Sequence, residues 1–268
     1  MLQNKIILLT GATDGIGRET AFLLAQNRAN LILHGKNLEK GKALEKELIK
    51  KTKNPNISYF NADFTSFDEI KKLSDAVHKQ YSHIDILINN AGIFETQKII
   101  LDNGIEKNFM VNHLAPFALT LHLLDLLEKS VAAKIINLSS MIHADSIDFE
   151  NLNAEKYYSG AHAYSLSKLC NVLFTYTLDD RLKGKKITVN ALHPGVINTK
   201  LLRAGWGAMG DAVKEAAKRI FYLTQLENSS GQYYVNNRSM KSTAISYDKS
   251  VQEKLWEIST KYMETNDK

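Results

Sequence analysis

The fold of this chain is decided near its amino terminus by residues 5–17, which read KIILLTGATDGIG. The aliphatic run at residues 6–9 lacks polar alternation, which is typical of a strand buried on both faces of a parallel sheet. The glycines that follow open a helix predicted over residues 16–26, whose apolar positions Ala21, Leu24 and Ala25 share one face. A strand, a glycine loop and a helix in this order predict the first βα unit of an α/β domain.

The same alternation continues along the whole chain. Further strands are predicted at residues 30–34, 57–60, 84–88, 134–138, 187–192 and 232–235. Helices are predicted up to about residue 53, from 65 or 66 to about 81, from about 104 to 128, over 164–182 and over 251–263. Since no repeat or linker interrupts the pattern, we expect residues 1–268 to form a single doubly wound, Rossmann-type α/β domain with a central parallel sheet of about seven strands.

Composition excludes several classes of protein. The 268 residues carry 34 Lys and Arg against 29 Asp and Glu, a formal charge of +5, and a single cysteine, Cys170. One cysteine excludes an intrachain disulfide framework and a cysteine-based zinc site, and it suits a cytoplasmic protein. The excess lysines alternate with glutamates at helical spacing, which indicates a solvated helix face and not a nucleic-acid surface. No apolar run is long enough for a transmembrane segment, and the histidines show no metal-binding spacing, so no metal is expected.

The glycine loop is a candidate dinucleotide site. Glycines between a strand and a helix let the backbone approach a pyrophosphate, whose charge is favoured by the free N–H groups at the helix start. The spacing here is Gly-x3-Gly-x-Gly, and a tight strand–helix turn is the alternative explanation. The residues assigned to the cofactor from this loop are Gly11, Thr13, Asp14, Gly15, Ile16 and Gly17.

Cofactor choice is expected to depend on the end of the second strand, where an acid would hold the ribose 2′-hydroxyl of NAD. The chain has His34, Gly35 and Lys36 there, with no acid before Glu39. Lys36, helped by Arg18, is therefore predicted to pair with the 2′-phosphate of NADP. Alternatively, Lys36 only begins the charged helix and NAD remains the cofactor.

Tyr164 and Lys168 lie four residues apart on a predicted helix, so they share one face. They follow a strand that leads to Ser140 at the carboxyl end of the sheet, where ligands of open α/β sheets bind. An ammonium group near a tyrosine favours the phenolate and lowers its pKa, and a serine hydroxyl can hydrogen-bond an oxygen that gains charge.

These motifs together resemble the classical short-chain dehydrogenases/reductases (SDR). The matching positions, in order, are residues 10–17, 89–92, Asn112, Ser140, Tyr164 with Lys168, and 193–195. The resemblance implies that Tyr164 is the proton donor or acceptor, Ser140 positions the substrate carbonyl, Lys168 binds the nicotinamide ribose and lowers the tyrosine pKa, and Asn112 holds a water. It further assigns to the cofactor Asp63, Phe64, Asn90, Ala91, Gly92, Pro194, Gly195, Val196 and Thr199.

Within that family the chain looks similar to the retinol-dehydrogenase-like branch. The supporting stretches are residues 111–117, 168–174 and 230–234, together with a long span between Ser140 and Tyr164. The leading expectation is an NADP-dependent oxidoreductase for a small carbonyl or alcohol. A cofactor-binding regulator and a sugar-nucleotide epimerase are the alternatives, and a homo-oligomer is left open.

The segment at about 200–226 is expected to close over the substrate, because it follows the Pro194–Gly195 turn. Its apolar residues and its glycines favour an apolar substrate and flexible hinges. They are Leu201, Leu202, Trp206, Ala208 and Met209, with Gly205, Gly207 and Gly210.

Overall fold

A computed structural model describes residues 2–207 and 210–266. Eight strands form one sheet in the order β3-β2-β1-β4-β5-β6-β7-β8. The first seven run parallel and β8 pairs antiparallel with β7 at the edge. The strands are β1 Ile6–Leu9, β2 Asn30–Gly35, β3 Ile57–Asn61, β4 Ile86–Asn89, β5 Ala133–Leu138, β6 Ile187–His193, β7 Gln232–Val235 and β8 Arg238–Met240.

Helices cover both faces of this sheet. They are α1 Gly15–Gln26, α2 Leu38–Thr52, α3 Phe67–Gln80, α4 Lys107–Phe109, α5 Ala115–His122, α6 Leu124–Glu128, α7 Gly160–Arg181, α8 Lys200–Trp206, α9 Val213–Gln225 and α10 Lys249–Asn266. A π-helical turn, Met110–Leu114, joins α4 to α5, and a 3₁₀ turn, Ala244–Tyr247, precedes α10. No helix in the described parts of the chain is both long and apolar enough to cross a bilayer.

The apolar side chains of the strands pack into two hydrophobic cores, one on each face of the sheet. In β1, Leu8 joins the core on the side of α3, α5, α7 and α10, whereas Ile7 and Leu9 join the core under α1, α2 and α9. A strand covered by helices on both faces has no solvent-facing side, which explains why its sequence shows no polar alternation. The doubly wound α/β fold expected from the sequence is confirmed.

The prediction of a single long helix over residues 104–128 is wrong. The chain forms α4, the π-helical turn, α5 and α6 instead. Pro116 lacks an N–H group and cannot donate to the carbonyl of Asn112 four residues earlier, so the α-helical hydrogen-bond pattern breaks there. The Asn112 carbonyl accepts a hydrogen bond from Asn171 Nδ2 at 2.9 Å instead.

Other elements also differ from expectation. Helix α7 begins at Gly160, four residues before the predicted start, because the Ser159 hydroxyl caps it by accepting a hydrogen bond from the His162 N–H at 3.1 Å. Strand β8 was not predicted at all. It follows a tight turn in which Asn236 and Asn237 have φ of 48° and 63°, the left-handed conformation that two-residue hairpin turns require.

At the glycine loop, helix α1 packs closely against the ends of β1 and β4. A Cβ atom on Gly17 would lie 2.0 Å from the Gly11 carbonyl oxygen and 2.7 Å from Asn90 Nδ2. The Thr10 hydroxyl oxygen accepts hydrogen bonds from the N–H groups of Asn90 and Ala91, both at 3.0 Å. These contacts leave no space for any side chain on the inner face of the first helical turn.

We expect Gly17→Ala to lower the free energy of unfolding by about 1–3 kcal/mol, because the added methyl must push α1 off the strand ends. Denaturant unfolding of the purified variant measures this. Gln26→Ala, at the exposed last position of the same helix, is the control and should change stability by less than about 0.5 kcal/mol. Equal stabilities for the two variants would contradict the close approach.

Candidate active site

A cleft of about 560 Å³ opens along the carboxyl ends of the strands, where the strand order reverses between β1 and β4. With one exception, Arg18, every residue assigned to the cofactor from the sequence lines it. They are Gly11, Thr13, Asp14, Gly15, Ile16, Gly17, Lys36, Asp63, Phe64, Asn90, Ala91, Gly92, Tyr164, Lys168, Pro194, Gly195, Val196 and Thr199.

The loop fits a dinucleotide pyrophosphate. A Cβ on Gly11 would come within 2.8 Å of the Ala91 Cα, so only glycine leaves the floor of the cleft open there. Helix α1 begins beneath it with no acidic residue in its first turn. Asp14 caps the helix by accepting a hydrogen bond from the Gly15 N–H at 2.8 Å. Its carboxylate is also paired with Lys200 at 2.6 Å, a hydrogen bond that holds the Asp14 pKa below its usual value.

Lys36 and Arg18 take different positions. Lys36 is exposed and lines the cleft, and it forms no ion pair within residues 2–207 and 210–266. The Arg18 guanidinium instead donates to Glu47 at 2.7 Å and lies over the Phe22 ring, 5.1 Å from its centroid. In this structure the Glu47 carboxylate of α2 holds the guanidinium outside the cleft, and help from Arg18 in binding a 2′-phosphate stays a prediction.

His34 lies at the Lys36 end of the cleft and was not singled out from the sequence. Its ring stacks on Phe64 with centroids 4.1 Å apart, and its Nε2 is 3.0 Å from the Ala62 carbonyl oxygen. Burial lowers the pKa of His34 to about 4, so the ring is neutral at physiological pH. His34 lies in β2 and Phe64 follows β3, so only the pairing of these strands reveals that their stacked rings line the cleft.

Tyr164, Ser140 and Lys168 come together at the other end of the cleft. All three residues are buried, and Tyr164 is hydrogen-bonded to Ser140. The Lys168 Nζ lies 5.4 Å from the centroid of the Tyr164 ring and donates to the Leu138 carbonyl oxygen at 3.2 Å. The sequence pattern thus identified three side chains that do share one site.

Burial determines the protonation of this group. It raises the pKa of Tyr164 to about 12, against the smaller opposing effect of the Ser140 hydrogen bond. It also lowers the pKa of Lys168 to about 8, because an ammonium group loses solvation there. The net pKa of Tyr164 is therefore raised and its hydroxyl is protonated at neutral pH, while a lowering effect of Lys168 on this pKa stays a prediction.

Asn112 lies behind the cleft wall and does not line it. Its Nδ2 donates to the Ile93 carbonyl oxygen and to the Ser167 hydroxyl, both at 3.0 Å, and its Oδ1 accepts from the Ile93 N–H at 2.8 Å. The side chain therefore fixes the strand β4 loop against α7. A role for Asn112 in holding a water stays a prediction.

The carbonyl group of Ser140 is held from several sides. It accepts hydrogen bonds from His143 Nδ1 at 2.7 Å and from the Tyr233 hydroxyl at 3.0 Å. The next N–H, of Met141, donates to His193 Nδ1 at 3.1 Å. Burial lowers the pKa of both histidines, that of His193 to about 4. Sequence analysis missed these positioning residues, because they come from the Ser140 loop, β6 and β7.

The segment expected to close over the substrate is described only in part. Leu201, in α8, lines the cleft. Ala208 and Met209 lie outside the described residues, as do the side chains of Leu202 and Trp206. Closure by this segment stays a prediction.

Comparison with known proteins identifies the family. The sequence profile of the short chain dehydrogenases matches residues 5–210. Retinol dehydrogenase 13 of Mus musculus is 37% identical over 275 residues, covering 95% of this chain and 82% of that protein. Retinol dehydrogenase 11 of Homo sapiens is 33% identical over 271 residues, covering 96% of this chain and 85% of its own length.

A solved structure agrees with this relationship. An uncharacterized protein from Mycobacterium Paratuberculosis superimposes with a TM-score of 0.83 at 26% identity, covering 98% of this chain and 94% of that chain. The fold, the positions of Ser140, Tyr164 and Lys168 in one cleft, and the sequence relatives all agree. The chain therefore belongs to the short chain dehydrogenase family, in its retinol-dehydrogenase-like branch, and is an NAD(P)-dependent oxidoreductase acting on CH–OH groups.

Proposed function

We propose that this enzyme uses NADP to reduce the carbonyl group of an apolar substrate, or to oxidise the matching alcohol, with Tyr164 as the acid and base. The observation that carries the proposal is the buried Tyr164 hydroxyl, hydrogen-bonded to Ser140 and lying beside the buried Lys168. When bound, the nicotinamide dinucleotide supplies the hydride in reduction and accepts it in oxidation.

The protein's own side chains supply the proton and stabilise the charges that form. In reduction, the carbonyl oxygen gains negative charge as the hydride reaches its carbon, and Ser140 stabilises that charge by donating a hydrogen bond. The proton then leaves the Tyr164 hydroxyl for this oxygen. The Lys168 ammonium, held by the Leu138 carbonyl oxygen, stabilises the phenolate that remains.

Two features support the cofactor and the substrate class. The Lys36 ammonium has no partner within the described residues and faces the cleft where β2 ends, which favours the phosphate of NADP over the bare ribose of NAD. Part of the cleft wall is apolar, which favours an apolar substrate. Its apolar residues are Ile93, Val111, Met141, Ile142, Ile197 and Leu201.

We expect Tyr164→Phe to lower kcat about 10²- to 10⁴-fold, because it removes the proton donor, while the dissociation constant for NADPH stays nearly unchanged. Steady-state turnover of aldehydes with NADPH measures kcat, and a fluorescence titration measures the dissociation constant for NADPH. A variant that keeps a tenth or more of the wild-type kcat would rule out the role of Tyr164.

Lys36→Ala should weaken NADPH binding by about one to two decades, the effect of losing one charge-assisted contact, and leave NADH binding almost unchanged. Both dissociation constants are measured for the variant and for Lys46→Ala, which removes an exposed lysine from α2 and should alter neither. Equal small changes for both cofactors would show that Lys36 only belongs to the solvated helix face.

The apolar wall predicts that kcat/KM rises with aldehyde chain length. Each buried methylene contributes about 0.8 kcal/mol, or up to about four-fold per carbon. Ile142→Ser should flatten that rise, whereas Val131→Ser, which alters an exposed side chain outside the cleft, should not. The absence of any rise in the wild type would exclude an apolar substrate site.

A further inference from the structure

An ion pair interrupts the apolar wall of the cleft. The Lys107 Nζ lies 2.6 Å from Glu95 Oε1, and both residues line the cleft. Their side chains are only 24% and 28% exposed, whereas those of Lys200 and Asp14, which form the ion pair at the glycine loop, are 81% and 64% exposed. Charges that lose this much water are costly to place beside apolar side chains, and their mutual attraction offsets only part of that cost.

The pair lies at the substrate end of the cleft. Glu95 follows Phe94, whose ring meets that of Tyr164 edge-on with centroids 5.6 Å apart. Lys107 begins α4, and Val111, one turn later, belongs to the apolar wall. The two charges therefore lie near the Tyr164 hydroxyl. Lys36 lies at the opposite end of the cleft.

The backbone of both residues is held by its surroundings. The Glu95 N–H donates to Asn108 Oδ1 at 2.9 Å, and the Glu95 carbonyl oxygen accepts from the Tyr158 hydroxyl at 2.7 Å. The Lys107 N–H donates to the Ile99 carbonyl oxygen at 3.0 Å. A polar pair on a fixed backbone loses little entropy when a ligand binds to it.

The pair keeps unused hydrogen-bonding capacity. Lys107 Nζ, which can donate three hydrogen bonds, donates one to Glu95 Oε1. Glu95 Oε2 accepts none from the residues that the structure describes. A ligand hydroxyl can accept from the ammonium and donate to the carboxylate at once. A ligand carboxylate would meet the like charge of Glu95, and an alkyl end would strip water from both charges without replacing it.

We propose that Glu95 and Lys107 form a subsite for a second hydroxyl group on the substrate, separated by an apolar body from the carbon that reacts. This inference rests on the proposed function, since it places the reacting group at Tyr164. It narrows the substrate class from apolar carbonyls to hydroxylated apolar carbonyls and the corresponding diols.

The kinetic test compares ω-hydroxy aldehydes with unsubstituted aldehydes of the same length, using wild-type enzyme and saturating NADPH. At the length that spans the site, the ratio of kcat/KM for the hydroxylated to the plain aldehyde should fall about ten-fold or more in Lys107→Met and in Glu95→Gln. The double variant Glu95→Gln/Lys107→Met should gain kcat/KM for the plain aldehyde. Lys98→Met, which removes a nearby lysine that does not line the cleft, is the control and should leave the ratio unchanged.

A binding test distinguishes failure of this inference from failure of the proposed function. Calorimetry on the NADP-loaded wild type and on Lys107→Met compares an α,ω-alkanediol with the n-alkanol of the same length, without requiring turnover. Tighter binding of the diol, lost in the variant, supports the subsite even if aldehydes are not reduced. An unaltered preference in the variant overturns it even if aldehydes are reduced well. A greater loss for an ω-carboxy aldehyde than for the ω-hydroxy aldehyde in Lys107→Met overturns the hydroxyl assignment in favour of an anion.

Discussion

The close approach of Gly17 to the Gly11 carbonyl oxygen and to Asn90 is the constraint on which the rest of the site depends. It brings the first turn of α1 against the ends of β1 and β4, the two strands between which the sheet order reverses. Thr10 joins these strand ends through hydrogen bonds to the N–H groups of Asn90 and Ala91. The crevice that receives the cofactor exists because no side chain fills this junction.

Burial in the cleft mainly determines the protonation of Tyr164 and Lys168. Tyr164 and Lys168 lie on α7, which passes behind β5 and is covered by the π-helical turn around Asn112. Desolvation raises the pKa of the tyrosine and lowers that of the lysine, so each group shifts toward its neutral form. In the proposed reduction, the neutral phenol next to the Ser140 hydroxyl donates its proton to the carbonyl oxygen. The Lys168 ammonium then stabilises the phenolate that this proposal leaves behind.

Polar groups outside the catalytic trio hold it in place. Ser140 is anchored through its carbonyl oxygen by His143 and Tyr233, which reach it from the long loop after β5 and from β7. Asn171 donates to the carbonyl oxygens of both Asn112 and Leu138, and so connects the π-helical turn to the end of β5, two residues before Ser140. At the substrate end, Glu95 and Lys107 add a charged pair to an otherwise apolar wall. The position of Ser140 and the polarity of the cleft wall thus depend on separate sets of contacts.

The sequence alone determined the sheet, the glycine loop and the grouping of Ser140, Tyr164 and Lys168. These follow from local patterns: apolar runs without alternation, glycines between a strand and a helix, and a four-residue spacing on one helix face. The broken helix at Asn112, the ion pair that holds Arg18 outside the cleft, and the pKa direction of Tyr164 required the tertiary structure. Each depends on a partner distant in sequence, such as Asn171 or Glu47, or on solvent excluded by several packed elements. Periodicity along the chain reports which face of an element is buried, but not which residues of other elements lie against it.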